Sequence, residues 1–223
     1  DGGKDRAHNL YWLPPGGTSG LYMNMTKAPD SDVNFRTGLA LATDRTTIAT
    51  KAVNGYLDQA SMSGLILPNL KKWLDPSLPN QGLVKQDTSA AQSAFGQAGY
   101  TTQGGKLVGK DGKQASMTIV MPGNFSDWVA AAKEVVNQLG AAGINASLDL
   151  PQYAQYSQTI QAGTFDAAIG GFGASVDPYT DYSTQLRSDC PPPLHTQPPP
   201  RPHPDQTPAA RPAPTTLPAA HAH

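Results

Sequence analysis

Three aspartates near the C-terminal end of the ordered-looking sequence, Asp166, Asp177 and Asp181, are the residues best placed to do chemistry. A pair of them could serve as general acid and general base across a scissile bond. Loop aspartates also cap helices and hold water, and neither a second histidine nor a nearby glutamate accompanies these three. His8 is the sole histidine before residue 190, and no Gly-x-Ser-x-Gly elbow occurs, so a serine or cysteine nucleophile lacks a base. Gly99 to Lys106 resembles a phosphate-cradling loop until Gly105, which stands where the lysine belongs. Gly171-Phe172-Gly173 follows a strand as a dinucleotide fingerprint does, but Val176 occupies the third glycine position. The one cysteine, Cys190, rules out an internal disulfide and a cysteine-rich metal cage. His195, His203, His221 and His223 are irregularly spaced with no carboxylate cluster beside them, so neither a metal site nor a cofactor is expected. Asn24-Met25-Thr26, Asn124-Phe125-Ser126 and Asn145-Ala146-Ser147 match the glycosylation acceptor pattern, which arises often by chance.

The elements that must position these residues follow from periodicity. Leu21 to Met25 alternates as a strand after the Pro14 to Gly20 loop. Val33 to Ala42 carries Phe35, Leu39 and Ala42 at helical spacing, and Asp44 caps a second helix from Arg45 to Val53 with Gly55 as its stop. Asp87 caps a helix through Ala98 that Gly99 ends, with Gly96 weakening it by about 1 kcal/mol relative to Ala. Lys110 to Lys113 reads as a hairpin turn before a strand from Ala115 to Met121. Asn124 or Ser126 starts the clearest helix, whose buried stripe is Trp128, Ala132, Val135, Val136 and Leu139. Ile144 to Leu150 is a half-buried strand, Tyr153 to Ala162 a helix, and Phe165 to Phe172 a strand that runs into the loop Gly173 to Pro178. Strand, helix, strand, helix, strand in that order predicts an α/β layer: one sheet holding the strands that begin at Ala115, Ile144 and Phe165, with the Trp128 helix packed across it.

The chain has 223 residues, 16 basic and 17 acidic side chains and a net charge of -1, which leaves no basic footprint for nucleic acid. Its longest apolar stretches fall well short of the roughly 20 residues of a membrane span. It opens at Asp1 without a leader, as a mature form or a fragment would. Residues 190–223 hold 12 of the 21 prolines, none of the 22 glycines and no Val, Ile, Met, Phe, Tyr or Trp. Such a segment cannot bury enough apolar surface to offset its ordering entropy, so it reads as a disordered, locally polyproline II tail. Its mixture of Pro, Ala, Arg, His and Thr is also what GC-rich DNA encodes when read in another frame.

Taken together, the blocks are similar to the extracellular solute-binding proteins of family 5, the oligopeptide and dipeptide type that feeds ABC importers. Phe35 to Ile48 looks like the family's paired-helix block, followed by Val53 to Tyr56 and Gln59-Ala60. Asp87 to Tyr100 is similar to its aspartate-capped helix ending in Ala-Gly-Tyr, although Gln92 to Gly96 depart from the usual Lys and Leu. Asp111-Gly112-Lys113, the Trp128 helix with Leu139 to Ile144, and Gly163 to Asp166 with Asp177-Pro178 complete five collinear blocks over about residues 21–186. The resemblance implies a mixed sheet with packed helices, part of the second lobe of a type II periplasmic-binding-protein-like fold. It divides the chain into a hinge-proximal loop segment 1–20, a partial lobe 21–189 and the tail 190–223.

The resemblance also implies a non-enzymatic, monomeric, extracytoplasmic protein that captures a peptide or oligosaccharide for an ABC permease, tied to the membrane only through a lipid anchor or that permease. The implied ligand-binding residues are Phe172, Gly173, Ala174, Ser175 and Asp177. Tyr153 joins them as a cleft aromatic, with a plain packing role at the helix start as its other reading. Ser175 stands where peptide-binding members place an aspartate that pairs with the peptide amino terminus, which leaves room for oligosaccharides. The rival readings are a hydrolase using two of Asp166, Asp177 and Asp181, and a fragment with no function of its own.

Overall fold

A computed structural model of the chain describes residues 16–53, 55, 58–173 and 177–186. The element order is β1 (Gly17–Met23), α1 (Val33–Ala42), α2 (Arg45–Val53), α3 (Thr88–Gln97), β2 (Thr101–Gln103), β3 (Lys106–Val108), β4 (Ser116–Val120), α4 (Ser126–Ala141), β5 (Asn145–Asp149), α5 (Tyr153–Ala162), β6 (Ala167–Gly173) and α6 (Pro178–Leu186). Two short 3-10 turns, Lys71–Trp73 and Pro79–Gly82, interrupt the long connection from α2 to α3.

The sheet order is β1-β6-β4-β5, with β4 parallel to both β5 and β6 and β1 antiparallel to β6. The three strands expected to share a sheet therefore do so. The boundary that moves most is the start of β1 at Gly17, inside the stretch that reads as loop, because Gly17 to Gly20 pair with Gly170 to Gly173 of β6; the same strand ends at Met23, two residues short of Met25, and β6 spans Ala167–Gly173. Backbone pairing decides that segment where side-chain alternation gives no signal. The phosphate-loop look-alike is the small β2–β3 hairpin, and Gly104 and Gly105 supply its two positive-φ turn positions at 57° and 77°.

Alternation along β4 and β6 divides the core into two layers. Met117, Ile119, Ala167 and Ile169 face a large cluster with Phe35 and Leu39 of α1, Phe95 of α3 and Ala132, Val135 and Leu139 of α4. Val120 and Ala168 face the other way, onto Tyr156, Ile160 and Phe165 at α5. The stripe on α4 packs across the sheet as its periodicity requires, with Trp128 and Val136 partly buried beside it. Glu134 is the exception to that amphipathic pattern. It is buried, and is held by Lys51 of α2 and by Gln138, whose side chain also accepts from the backbone N–H of Asp44 at 2.7 Å. Hydrogen bonding from the Lys51 ammonium keeps the Glu134 carboxyl below the usual carboxylate range.

The helix caps fall where the aspartates place them. Asp32 accepts from Asn34 and Phe35 N–H, Asp44 from Thr47 N–H and hydroxyl, and Asp87 from Ala90 N–H. Gly99 ends α3 at φ 89°, with Tyr100 N–H reaching back to the Phe95 carbonyl at 2.9 Å. At the lower end of the sheet, buried Asn24 donates to the carbonyls of Gly163 and Phe165 at 3.0 and 2.8 Å and accepts from Thr26. One side chain thus ties the β1–α1 connection to the α5–β6 turn. The tail lies outside the described residues.

Candidate functional site

In open sheets with parallel strands, ligands bind beyond the carboxyl ends of the strands. Here β4, β5 and β6 run parallel and all end on that side, and β1 begins beside them because Gly17 pairs with Gly173. Backbone hydrogen bonds stitch two of the connections together. Met121 N–H donates to the Asp149 carbonyl and Gly123 N–H to the Pro151 carbonyl, both at 3.0 Å. A Cβ on Gly123 would lie 2.9 Å from the Leu150 carbonyl oxygen, so glycine is what permits the approach.

That stitch sets the start of α4 against the start of α5, and a ridge of aromatic rings results. Phe125 lies 5.2 Å from Trp128 and 6.4 Å from Tyr153 between ring centroids, and Tyr153 lies 6.1 Å from Tyr156. The ridge runs from wet to dry. Tyr153 is 58% exposed and Phe125 37%, Trp128 is half-buried, and Tyr156 is buried with its hydroxyl donating to the Ile169 carbonyl at 3.0 Å. Burial, and then the neighbouring Tyr153, push the Tyr156 phenol up to about 12, so it stays neutral at physiological pH. The far edge of the Trp128 indole lies over Gly171 of β6, where a Cβ would be 3.3 Å from two of its ring carbons. Both helices start here with no side-chain cap: Phe125 and Gln152 are the N-cap residues of α4 and α5, and neither satisfies a first-turn N–H.

Of the residues expected to bind, Tyr153 stands at the start of α5 as an exposed ring that also packs on Phe125 and Tyr156. Phe172 and Gly173 end β6, opposite Thr18 and Gly17 of β1. Ala174 and Ser175 lie outside the described residues. Asp177 caps α6, accepting from Thr180 N–H at 3.1 Å. The helix α6 begins at Pro178, where the expected loop ends, over residues whose periodicity announces no element. Its Tyr182 hydroxyl donates at 2.6 Å to the Ser63 carbonyl, clamping it to the connection after α2. Phe125 and Trp128 are the members that sequence reading missed. Trp128 sits in phase with the core stripe, and nothing local to Phe125 reveals that Tyr153 lies beside it.

Of the rival catalytic pairings, those of Asp166 with Asp177 or Asp181 draw on opposite ends of β6, whereas Asp177 and Asp181 lie four residues apart at the start of α6. Asp166 precedes β6, where it accepts from Thr118 N–H at 3.1 Å and pairs with Lys27 at 3.4 Å. Asp177 follows the same strand, whose seven residues span roughly 20 Å. Paired glycosidase carboxylates stand no more than about 9.5 Å apart. Asp181 is buried on α6. Among the described residues no three His, Cys, Asp or Glu side chains converge as a metal site, and no helix is long and apolar enough to cross a membrane.

The family model of the bacterial extracellular solute-binding proteins, family 5, matches residues 2–191. The chain belongs to this family. Among solved structures, it is similar to the periplasmic oligopeptide-binding protein of an ABC transporter from Thermotoga maritima, solved with mannohexaose. The two are 26% identical with a TM-score of 0.71, over 79% of this chain and 34% of that one. The oligopeptide-binding protein AppA of Bacillus subtilis, solved with a nonapeptide, has the same fold at 21% identity and a TM-score of 0.61, over 76% of this chain and 33% of that one. So does the periplasmic binding protein MelB of Agrobacterium fabrum, solved with stachyose, at 16% identity and 0.57, over 71% and 26%. A search of curated protein sequences finds no significant match. The family 5 chain spans about a third of the length of the solved structures it matches. Its fold is the mixed α/β layer of a type II periplasmic binding protein.

Proposed function

We propose that this chain supplies one wall of a solute-binding cleft whose ligand, an oligopeptide or oligosaccharide, is handed to the transmembrane subunits of an ABC importer. The protein acts outside the cytoplasm, as a monomer and without chemistry on its ligand. The observation that carries this reading is that the parallel strands β4, β5 and β6 end on one side of the sheet, where the exposed rings of Phe125 and Tyr153 stand at the starts of the helices that follow β4 and β5. Family membership and the ligands held by the similar structures support it. Within this wall, Tyr153 and the run Phe172, Gly173, Ala174, Ser175 and Asp177 contact the solute, with Asp177 also fixing the start of α6.

Binding proteins of two lobes enclose the ligand by hinge closure, and much of the buried contact comes from the second wall. A single wall open to water gains only about 0.5–1.5 kcal/mol from each hydrogen bond. Calorimetry on residues 1–189 should therefore give millimolar affinity at best for mannohexaose or a nonapeptide, and a complete two-lobed chain built around this segment should bind far more tightly. Micromolar binding by residues 1–189 alone would show that the site needs no second wall. No binding by the two-lobed chain to any peptide or oligosaccharide would refute the function.

A further inference from the structure

We infer that Tyr182 is a positioning residue: its hydroxyl anchors α6 to a rigid polar knot in the connection after α2, and so holds the Asp177 carboxylate in place at the start of that helix. The inference deepens the solute-capture reading above, which sets Asp177 against the solute, and it rests on that reading. Asp177 accepts from the Thr180 N–H at 3.1 Å, so its carboxylate moves with the first turn of α6. Whatever fixes the helix fixes the carboxylate. The Tyr182 hydroxyl does so at long range, donating to the Ser63 carbonyl at 2.6 Å across 119 residues of sequence. Burial, and then the neighbouring Asp181, raise the Tyr182 phenol above its ordinary range, so the proton it donates stays in place at neutral pH.

Ser63 is held in turn by a closed set of hydrogen bonds. The buried Ser61 hydroxyl donates its one proton to the Gln81 carbonyl at 2.8 Å, so Ser63 is the donor in the 2.8 Å contact between the two serine hydroxyls. Ser61 Oγ also accepts from the Ser63 N–H at 3.2 Å, and Ser63 Oγ accepts from the Leu65 N–H at 3.3 Å. Both hydroxyl directions are thereby fixed. The Met62 N–H adds a backbone bond to the Gly82 carbonyl at 2.9 Å, so residues 61–63 and 81–82 are tied together at several points.

The far side of the knot is a strained turn. Asn80, Gln81 and Gly82 take φ of 51°, 56° and 74° in succession, although two of the three carry side chains. Residues other than glycine reach this left-handed region at a cost, and they persist there where the surroundings over-determine them. Here the Gln81 carbonyl is pinned by Ser61 and the Gly82 carbonyl by Met62, and the Leu83 N–H closes the turn on the Asn80 carbonyl at 2.9 Å. A Cβ at position 82 would lie 2.7 Å from Ser61 Oγ, so glycine keeps that serine where it is. The Asn80 and Gln81 side chains are exposed, and the strain therefore does not serve their packing. What the turn does hold in place is Ser61, and through it the Ser63 carbonyl that receives Tyr182.

The test uses the 223-residue chain, with amide exchange read by NMR along α6 and, as an internal reference, along β5. Tyr182→Phe removes only the hydroxyl, and Ser61→Ala removes the centre of the knot without touching α6. Each should speed exchange at the Asp181 and Tyr182 amides by roughly three- to tenfold and leave β5 unchanged. Because both act through one chain of contacts, the double variant should be no faster than the faster single variant. A tyrosine that merely packed would not pass the Ser61 change on to α6. Should Ser61→Ala also lose protection in β5, Ser63→Ala, which keeps the bond from Ser61 to Gln81, takes its place. Mannohexaose and a neutral nonapeptide are then titrated well beyond millimolar concentration and followed at the Thr180 amide, which reports the Asp177 cap. At least one of them should shift it saturably, and Tyr182→Phe should weaken that probe at least about twofold as the docked fraction of α6 falls. Unchanged α6 exchange in Tyr182→Phe would overturn the clamp, and loosening by Tyr182→Phe but not by the serine variant would overturn the knot as its anchor; solute capture stands in both cases. A loosened α6 with the probe's affinity unchanged would overturn the positioning role. If neither probe shifts Thr180 in the native sequence, Asp177 is no solute contact and the inference falls, while the calorimetry on the two-lobed chain decides separately whether solute capture survives.

Discussion

Asp30 should make this protein lose stability as the solution turns from acid to neutral, the reverse of what most carboxylates do. It lies in the β1–α1 connection with 1% of its surface exposed, and its Oδ1 has no hydrogen-bond partner among the described residues. Arg36 approaches, but its Nη1 donates to the Asp30 backbone carbonyl at 2.7 Å and not to the carboxylate. Burial, reinforced by the negative charge of Asp166, pushes the Asp30 carboxyl up to about 7, against smaller opposing pulls from Arg36 and Lys27. An unfolded chain releases this proton near pH 3.8 and the folded chain holds it to about 7. Between those values the unfolded state binds fewer protons, so stability falls with rising pH. At about 1.4 kcal/mol for each tenfold change, the ceiling on the loss is about 4 kcal/mol by pH 8.

The variant that isolates the effect is Asp30→Asn, which is neutral at every pH and nearly isosteric with the protonated acid. Urea unfolding at pH 5 and pH 8 should show the native sequence losing about 2–3 kcal/mol more than the variant does across that interval, the rest of the ceiling being lost below pH 5. Taking the difference between the two proteins removes the histidines, which titrate in both. Asp44 and Glu134, both held below the usual range by hydrogen bonds, lose their contributions only at lower pH and stay outside the window. A native protein whose stability is flat or rising from pH 5 to 8 relative to Asp30→Asn would refute the reasoning. It would mean that water or a cation reaches the carboxylate.

Three further changes test the packing, each by chemical denaturation. Asn24→Ala removes the side chain that joins the β1–α1 connection to the α5–β6 turn and leaves two carbonyls without their donor; a loss of about 3 kcal/mol is expected. Gly38→Ala on α1 drives a methyl group into the Phe95 ring, and overpacking there should cost about 1–3 kcal/mol even though alanine is the better helix former. Trp128→Ala should cost about 2 kcal/mol, less than the 3–5 typical of a fully buried aromatic, because part of this ring already faces water.

The frame of this lobe was legible because its signals are local. Asp32, Asp44 and Asp87 each cap the helix that follows within a few residues, and Gly55, Gly99, Gly143 and Gly163 all take up positive φ near the ends of helices. The α4 stripe and the alternation in β4 and β5 likewise repeat within one element. Where local signals were silent, pairing decided: β1 begins at Gly17 only because β6 lies beside it, and glycine has no side chain to announce an inward or outward face.

The site was legible only in part, for a related reason. Tyr153 can be placed from its position at a helix start, but its meaning comes from Phe125, 28 residues earlier, which reaches it because Gly123 hydrogen-bonds to Pro151. Trp128 illustrates the ambiguity from the other side. Its spacing with Ala132 and Val135 satisfies the rule for a core residue, and half of its ring does pack as one. The rest stays partly exposed, with the ring edge over Gly171 near the end of β6. Heptad-like spacing locates a face of a helix; it does not say where along that face the neighbouring layer stops. In an α/β lobe the layer stops at the carboxyl ends of the strands, so the first apolar residue of a helix that follows a parallel strand is the one position where a core pattern and a ligand platform coincide. Exposure at that single residue distinguishes the two, and it depends on a partner strand encoded some 40 residues away.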